Sequence, residues 1–287
     1  MGDPCGIGPE VVAKALADKD LRKVCSPVVV GSAIAMTRAV KLAGLSLTVR
    51  EFKSSDSFSL NSIPIIDPGN LDAGEITIGE ISPKCGQAAM EWVTHAAGLA
   101  INGMVQALAT APVNKEAASL AGYKAIGHME LLQELSGATN VATMLVSGKL
   151  RVVHLTTHRS LRVACDYVTR DRILSILKLT NDSLLKWGFS KPRIAVAALN
   201  PHASDGGLLG TEEQTEISPA VSDAKSLGIN ASGPIPADIV FHQAIQENYD
   251  AVLAMYHDQG HIPIKVHGFE RSISINIGLP FVRTSVD

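Results

Sequence analysis

Residues 193–202 read RIAVAALNPH, a short apolar run that ends in a turn and a histidine. Runs of about four to eight apolar residues are typical of strands that are buried on both faces, as in a parallel sheet. The stretch AVLAMYH, residues 251–257, repeats this arrangement, and helical patterns lie between the two at residues 212–227 and 237–247. A buried strand, two helices and a second buried strand in this order predict an α/β fold.

Strand and helix patterns alternate over almost the whole chain. We predict further strands at residues 27–31, 47–52, 62–67, 105–111, 141–146, 150–157 and 272–277, and further helices at residues 9–24, 32–43, 85–104, 114–120, 128–135 and 169–187. This alternation favours largely parallel sheets. In open sheets of this kind, ligands bind beyond the carboxyl ends of the strands.

The composition argues against several kinds of partner. The chain has 287 residues, a formal net charge of -3 and only 4% aromatic residues, so neither nucleic acid nor an anionic membrane surface is an expected partner. No apolar run approaches the roughly 18 residues of a membrane helix. The four cysteines, Cys5, Cys25, Cys85 and Cys165, form no CxxC pair, and we expect reduced thiols in a cytoplasmic protein.

Three histidines follow the carboxyl ends of three predicted strands. His158 follows the strand at residues 150–157, and His202 and His257 follow the two runs quoted above. Three strands that deliver imidazoles to one edge of a sheet predict a metal site with open positions, suited to zinc, manganese or cobalt. The alternative is that these are unrelated polar residues at the starts of loops. The polar, turn-rich segments around His202 and His257 favour the metal site.

Residues close to these histidines have predicted roles of their own. Asp258, beside His257, is a candidate base or a hydrogen-bond partner of the imidazole. His154 lies inside its predicted strand, and we expect it to be a packed core residue. We expect residues 256–261 to form a loop in which His261 lines or caps the site.

Basic residues near these segments are candidate contacts for an anion. Lys265 follows the His257 segment, Arg283 lies near the end of the sequence, and His128 begins a predicted helix. Together they are suited to clamp a phosphate or carboxylate, whereas each alone is more often a surface cation. The glycine-rich stretch at residues 2–9 resembles a phosphate-binding loop but matches neither the Walker pattern nor GxGxxG, so we interpret it as a shaped turn that lines a cleft.

Several motifs together resemble the PdxA family, the 4-hydroxythreonine-4-phosphate dehydrogenases of vitamin B6 biosynthesis. The matching stretches are GDPCGIGPE (2–10), TAPVNKE (110–116), GH (127–128), TTH (156–158), LNPHA (199–203), MYHDQG (255–260) and GLPFVRTSVD (278–287). They span essentially the whole chain, and LNPHA followed by YHDQG is the most specific combination. TAPVNKEA and YHDQGHIPIK look more like a branch of the family that acts on D-threonate or D-erythronate 4-phosphate.

The resemblance implies a reaction and a metal site. The reaction is NAD- or NADP-dependent oxidation and decarboxylation of a four-carbon 3-hydroxy acid 4-phosphate, of the 4-phosphohydroxy-L-threonine type. A divalent metal (Zn, Mn, Co or Mg) is expected on His158, His202 and His257. The resemblance also implies a homodimer with a shared active site, in which one of these ligands comes from the partner chain. The residues that bind the dinucleotide stay unassigned.

The resemblance further implies substrate contacts from His128, Lys265 and Arg283. The chain departs from the family at Met129, where a threonine is common, and at Ser274, where the family has a substrate-binding asparagine. At Met129 the hydroxyl contact of the threonine to the substrate is therefore lost, which leaves at most a backbone contact.

The family's fold resembles that of the isocitrate and isopropylmalate dehydrogenases, with two α/β domains. We expect residues 1–112 to form the first domain, completed by C-terminal residues. Residues 113–287 are expected to form a second domain that carries most of the metal and substrate site. Relative to the family, a strand before Gly2 and segments after Asp287 that contribute to the dinucleotide pocket are expected to be missing.

The expected reaction needs a base that removes the proton of the substrate hydroxyl, and Asp238 and Asp258 are the candidates. Three other classes of protein stay open. They are a metal-dependent hydrolase that activates water, a non-catalytic binding protein, and a phosphate-binding acyltransferase of related fold. Production of NADH distinguishes a dehydrogenase from all three.

Overall fold

A computed structural model describes residues 1–53, 59–124 and 127–286. The chain divides into two compact units, Met1–Gly137 and Ala138–Ser285. The expected domain boundary after residue 112 stays a prediction. No helix in the described ranges is both long enough and apolar enough to cross a membrane.

The first unit combines helices with a small parallel sheet. The strands of this sheet are β1 (Val29–Val30), β2 (Thr48–Glu51) and β3 (Ser62–Ile66), and the unit also contains the strand β4 (Ala107–Thr110). Its helices are α1 (Gly8–Ala17), α2 (Leu21–Val24), α3 (Ala33–Leu42), α4 (Pro83–Ile101), α5 (Lys115–Leu120) and α6 (His128–Ser136). β3 lies between β1 and β2 and pairs with both in parallel. Leu16, Met36 and Ile63 join α1, α3 and β3 in one buried core.

Helix α4 begins where the sequence supplies a cap. The Ser82 hydroxyl accepts a hydrogen bond from the backbone N–H of Cys85, and a proline occupies the first turn. Gly86 lets α4 approach α5, because a Cβ at this position would collide with the backbone of Ala117. Cys5 and Cys85 meet in the core with their Sγ atoms 3.1 Å apart. All four cysteines are free.

The second unit is built on a mixed sheet with helices on both faces. Its strands are β5 (Ala142–Ser147), β6 (Leu150–His154), β7 (Arg193–Ala197), β8 (Asn230–Ile235), β9 (Ala251–Ala254), β10 (Ile273–Ile277) and β11 (Val282–Val286), and its helices are α7 (Leu161–Asp166), α8 (Arg170–Lys186), α9 (Ser218–Ser226), α10 (Ala237–Ile245) and α11 (His257–Gly268). These strands follow the spatial order β11-β10-β5-β6-β9-β7-β8. Pairing is parallel from β6 through β9 and β7 to β8, and antiparallel between β10, β5 and β6.

Three neighbouring strands of this sheet, β6, β9 and β7, are packed on both faces. Helices α8 and α9 cover one face with side chains such as Leu177 and Val221. Helices α10 and α11 cover the other face with Val240 and Ile264. Because parallel strands end at the same edge of a sheet, the segments that follow β6, β7 and β9 emerge side by side.

The structure corrects the sequence predictions in this unit. Residues 257–261 of the expected loop and the segment with Lys265 belong to the helix α11, and Tyr256 precedes it. Gly260 and Pro263 lie inside this helix, and both residue types disfavour helices in a sequence pattern. Strands β8 and β11 were not predicted, and β8 contains a Gly-Pro pair that is tolerated because the strand lies at the edge of the sheet.

Gly260 is required where α11 packs against β6, since a Cβ there would collide with the His154 ring and the Val152 side chain. We expect Gly260→Ala to lower the free energy of unfolding by about 1–3 kcal/mol, because the core must shift to accept the methyl group. The matched control is Gly98→Ala inside α4, where nothing lies within 4 Å of the added Cβ. It should be neutral or stabilise by up to about 1 kcal/mol. Urea denaturation measures both changes, and equal stability of the two variants would contradict this packing.

Candidate active site

The structure brings His158 and His257 together at the carboxyl edge of the large sheet, a few residues beyond the ends of β6 and β9. Thr156 donates a hydrogen bond from Oγ1 to the carbonyl oxygen of Met255 over 3.0 Å, which ties the two segments together. The ring centroids of His158 and His257 are 5.5 Å apart, and the ring planes are inclined by 46°. Two of the three histidines predicted at strand ends are therefore neighbours.

His257 is the first residue of α11, and its ring is held from two sides. Its Nδ1 lies 2.7 Å from Oδ1 of Asp258. The ring also stacks on His261, with centroids 3.6 Å apart and planes inclined by only 11°. A carboxylate that accepts the Nδ1 proton fixes the tautomer in which Nε2 is the coordinating atom. This is the geometry expected of Asp258 as a hydrogen-bond partner of the imidazole.

Gln259 connects two strand ends, a role that the sequence analysis missed. Its Oε1 accepts a hydrogen bond from the backbone N–H of Met255 over 2.7 Å, and its Nε2 donates to the carbonyl oxygen of Ala198 over 2.7 Å. The side chain is buried. It therefore joins the end of β9 to the end of β7 and fixes the spacing of the segments that carry the candidate ligands.

His202 lies beyond β7 in a left-handed turn. The φ angles of His202, Ala203, Ser204 and Asp205 are 52°, 55°, 69° and 45°. The left-handed conformation costs about 1–2 kcal/mol for each L-residue, so the surrounding contacts must enforce it. The Nδ1 atom of His202 lies 3.1 Å from Oδ2 of Asp205. As at His257, this pairing leaves Nε2 as the coordinating atom.

The donor atoms fit a divalent ion that prefers imidazole nitrogen, because His202 and His257 each have a carboxylate at Nδ1. Within the described ranges, no group of three or more His, Cys, Asp or Glu side chains is placed to hold a metal ion. The structure thus pairs His158 with His257 but does not add His202 to them. The site of three histidines stays a prediction.

His154 lies behind this pair and is only 2% exposed. Its ring centroid is 4.5 Å from that of His261. Burial lowers the pKa of His154 to about 3, so its imidazole is neutral under ordinary conditions. The prediction that His154 is a core residue is confirmed.

The three predicted substrate-binding residues occupy different elements. Lys265 lies on α11 with its Nζ 4.8 Å from the ring centroid of Phe269. Arg283 lies on β11, is buried, and donates a hydrogen bond from Nη1 to Oδ1 of Asn276 over 2.8 Å. His128 is the first residue of α6 in the first unit, at a helix start as predicted.

The candidate base and the two departures from the family occupy further elements. Asp238 is exposed in the first turn of α10, which packs against the turn that carries His202. Met129 lies in the first turn of α6, and Ser274 lies on β10 opposite Leu145. The consequences of these three residues for catalysis and substrate binding stay predictions.

Replacing Gln259 by methionine tests the connection between β9 and β7. The variant leaves a buried N–H and a buried carbonyl oxygen unpaired, and we expect a loss of about 2–4 kcal/mol in the free energy of unfolding. The control is Gln243→Met on α10, since the buried Oε1 of Gln243 has no hydrogen-bond partner among the described residues. That variant should change stability by less than about 1 kcal/mol. Denaturant titration of both proteins provides the comparison, and similar losses in the two would argue against the bridging role.

Comparison with known proteins places these features in a family. Residues 23–287 match the family described as pyridoxal phosphate biosynthetic protein PdxA. A relative from Halalkalibacterium halodurans, named "Putative D-threonate 4-phosphate dehydrogenase", is 44% identical over 289 residues, covering 100% of this chain and 86% of the relative.

Solved structures agree with the sequence match. A 4-hydroxythreonine-4-phosphate dehydrogenase from Klebsiella pneumoniae superposes with a TM-score of 0.93 at 42% identity, covering 100% of this chain and 87% of that one. A terephthalate 1,2-cis-dihydrodiol dehydrogenase from Burkholderia xenovorans gives a TM-score of 0.71 at 28% identity, with the same two coverages of 100% and 87%. The expected isocitrate dehydrogenase-like α/β fold is confirmed. The chain belongs to the PdxA family.

Proposed function

We propose that this chain is a metal-dependent dehydrogenase. It transfers hydride from a four-carbon 3-hydroxy acid 4-phosphate to NAD or NADP, and the resulting β-keto acid loses carbon dioxide. The observation that carries this proposal is the pairing of His158 and His257 at the carboxyl edge of the sheet, 5.5 Å apart. Membership of a family whose relatives are named dehydrogenases supports the hydride transfer.

The names of two relatives favour two substrates. The relative from H. halodurans is named for D-threonate 4-phosphate, and we take this acid or D-erythronate 4-phosphate as the first candidate. The enzyme from K. pneumoniae is named for 4-hydroxythreonine 4-phosphate, which is the second candidate. The acids differ at carbon 2, which carries a hydroxyl in the first group and an amine in the second. A side chain that distinguishes an amine from a hydroxyl must therefore lie near carbon 2.

The proposed metal ligands are His158, His202 and His257. A zinc, manganese, cobalt or magnesium ion held there would polarise the substrate oxygen and stabilise negative charge on it. Asp258 orients His257 through Nδ1. Because one Asp258 oxygen is occupied in this way, Asp238 is the carboxylate more available to accept the proton of the substrate hydroxyl.

Lys265 and Arg283 are proposed to bind the phosphate or carboxylate of the substrate, together with His128. Lys265 follows His257 by two turns of the same helix, about 12 Å along its axis. His261 and Lys265, four and eight positions after His257, lie on the same side of the helix as His257. Helix α11 therefore presents the His257 imidazole and the Lys265 ammonium group to one ligand. Binding the anion away from the reacting carbon supplies energy that aligns the substrate with the nicotinamide.

A homodimer is proposed because the third ligand does not meet the other two within this chain. Helix α11, which carries His257, exposes Ile262 and Val266 at 58% and 83% of their surfaces, and Phe269, directly after the helix, is 70% exposed. We call these three side chains the apolar row. Ile262 and Val266 are four residues apart, so they lie on one face of the helix. Rows of exposed apolar residues mark interaction surfaces. We propose that a second copy covers this row and that one metal ligand is contributed across the interface.

Removing either paired histidine tests the proposed reaction. We expect His158→Ala and His257→Ala each to lower kcat/KM by at least about 100-fold, since the metal loses a direct ligand. His242→Ala, an exposed histidine on α10, serves as the control and should retain activity. The assay follows NADH formation from D-threonate 4-phosphate and 4-phosphohydroxy-L-threonine, with and without a chelator. Full activity in the two ligand variants would overturn the metal site, and metal-dependent hydrolysis without NADH would favour the hydrolase.

Introducing a charge into the apolar row tests the dimer. We expect Val266→Glu to convert a dimer to a monomer, because burial of a carboxylate in an apolar interface is costly. The control is Val24→Glu in the first unit, where valine is 81% exposed, close to the 83% of Val266. Analytical ultracentrifugation gives the mass of each protein. A monomeric wild type, or a Val266→Glu variant that stays dimeric, would contradict the proposed interface.

A further inference from the structure

Glu213 is a buried carboxylate with a dense set of hydrogen bonds. It is 2% exposed. Its Oε1 accepts from the backbone N–H groups of Leu199 and Asn200 over 2.8 and 2.7 Å, and its Oε2 accepts from Nδ2 of Asn200 over 2.9 Å. Buried carboxylates persist where several donors compensate for the loss of water. All three donors belong to two consecutive residues.

These two residues form the entrance to the turn that carries His202. They follow the end of β7, and Pro201 and His202 come directly after them. Asn200 is held a second time, because its Nδ2 also donates to Oε2 of Glu212 over 2.7 Å. The chain at this point is therefore fixed by two carboxylates before it enters the left-handed conformation.

The exit of the same turn is also restrained. The backbone N–H of Leu209 donates to the carbonyl oxygen of Ser204 over 3.1 Å, and that of Gly207 donates to the Ser204 hydroxyl over 3.2 Å. Glycine is needed at position 210, where the chain comes back to Asn200 after the turn. A Cβ there would lie 2.5 Å from Nδ2 of Asn200 and 2.7 Å from Oε2 of Glu212. Both ends of the segment from residue 199 to residue 213 thus contact the carboxylates of Glu212 and Glu213.

The local backbone explains how Glu213 reaches this position. Residues Glu213–Ile217 form a π-helical turn in front of α9, and Ile217 is buried in the main core. A π-turn carries one extra residue per turn and changes the direction in which side chains point, and such turns are frequent at functional sites. Glu216, in the same turn, makes a different contact, since its Oε2 accepts from the backbone N–H of Arg170 over 2.8 Å.

We propose that Glu213 is a positioning residue, whose buried carboxylate holds the left-handed turn and thereby sets the His202 imidazole for metal binding. The inference rests on the proposed function, in which His202 is a metal ligand. Glu213 does not touch the metal or the substrate in this role. Its effect reaches the site through Leu199, Asn200 and the backbone of the turn.

The test replaces Glu213 by glutamine, which keeps the size and removes the charge. The matched control is Glu216→Gln, the same substitution in the same π-helical turn. Cobalt(II) is titrated into each metal-free protein and followed by its visible absorption. We expect Glu213→Gln to raise the Kd for cobalt about 10- to 100-fold, as for other residues that orient ligands. Glu216→Gln should stay within about twofold of wild type, and equal effects in both variants would overturn the proposal.

Two further readouts separate positioning from general destabilisation. In the metal-free proteins, Glu213→Gln should accelerate amide hydrogen exchange in residues 199–209 while α8 and β9 keep their protection. At saturating cobalt, its kcat for NADH formation should recover toward that of wild type. Faster exchange throughout the second unit, or a low kcat that excess cobalt does not restore, would overturn the role. If Glu213→Gln does not fold, Asn200→Ala takes its place, and unchanged cobalt affinity in that variant overturns the proposal.

His202→Ala in the same titration separates this inference from the proposed function. If His202→Ala binds cobalt as wild type does, the metal site proposed above fails, and the role of Glu213 in metal binding fails with it. If His202→Ala loses cobalt binding while Glu213→Gln retains it, the metal site stands and only the positioning role is wrong. Loss of affinity in both variants, with Glu216→Gln unaffected, supports both proposals.

Discussion

The parallel pairing of β6, β9 and β7 is the constraint on which the candidate site depends. Val152 pairs with Val252 of β9, and Ile194 of β7 pairs with Ala251, so the three strands end at one edge. Both faces of these strands are packed by helices, and a slip of one residue would move every side chain to the opposite face. The positions of the histidines beyond the strand ends are therefore set by apolar packing beneath them.

Polar side chains form hydrogen bonds with the backbone groups that lie just beyond the paired parts of these strands. Backbone groups just beyond a ladder are buried or partly buried here without strand partners, and a buried group left unpaired costs about 1–3 kcal/mol. Thr156 and Gln259 satisfy such groups by reaching to a neighbouring segment, and Glu213 does the same for Leu199 and Asn200. Because each hydrogen bond joins two segments, it stabilises the fold and also fixes a distance within the site.

The strands β6, β7 and β9 could be predicted from sequence because a strand that is buried on both faces has a continuous apolar run. The positions of His158 and His257 just beyond β6 and β9 could be predicted in the same way. Other features gave no such signal. Helix α11 was hidden by Gly260 and Pro263, although the glycine is there to admit the His154 ring. The sequence does not show whether a glutamine or glutamate is exposed or buried. The roles of Gln259 and Glu213 are therefore visible only in the hydrogen bonds of the folded chain. The contact between Cys5 and Cys85, 80 positions apart, is likewise a property of the fold alone.

Two properties of His202 do not stabilise a single chain. It lies in a left-handed turn whose four non-glycine residues each carry a conformational cost, and its side chain is exposed. Catalytic zinc sites commonly use three protein ligands, whereas the described part of this chain brings only two of the three predicted ligands, His158 and His257, together. In the proposed homodimer, an exposed and rigidly held imidazole is the form that a ligand to a second subunit must take. In that proposal, metal binding and association would stabilise each other, since the complete set of ligands would exist only in the assembled protein. The proposed homodimer thus gives one common explanation for the strain at His202 and for the exposed apolar row.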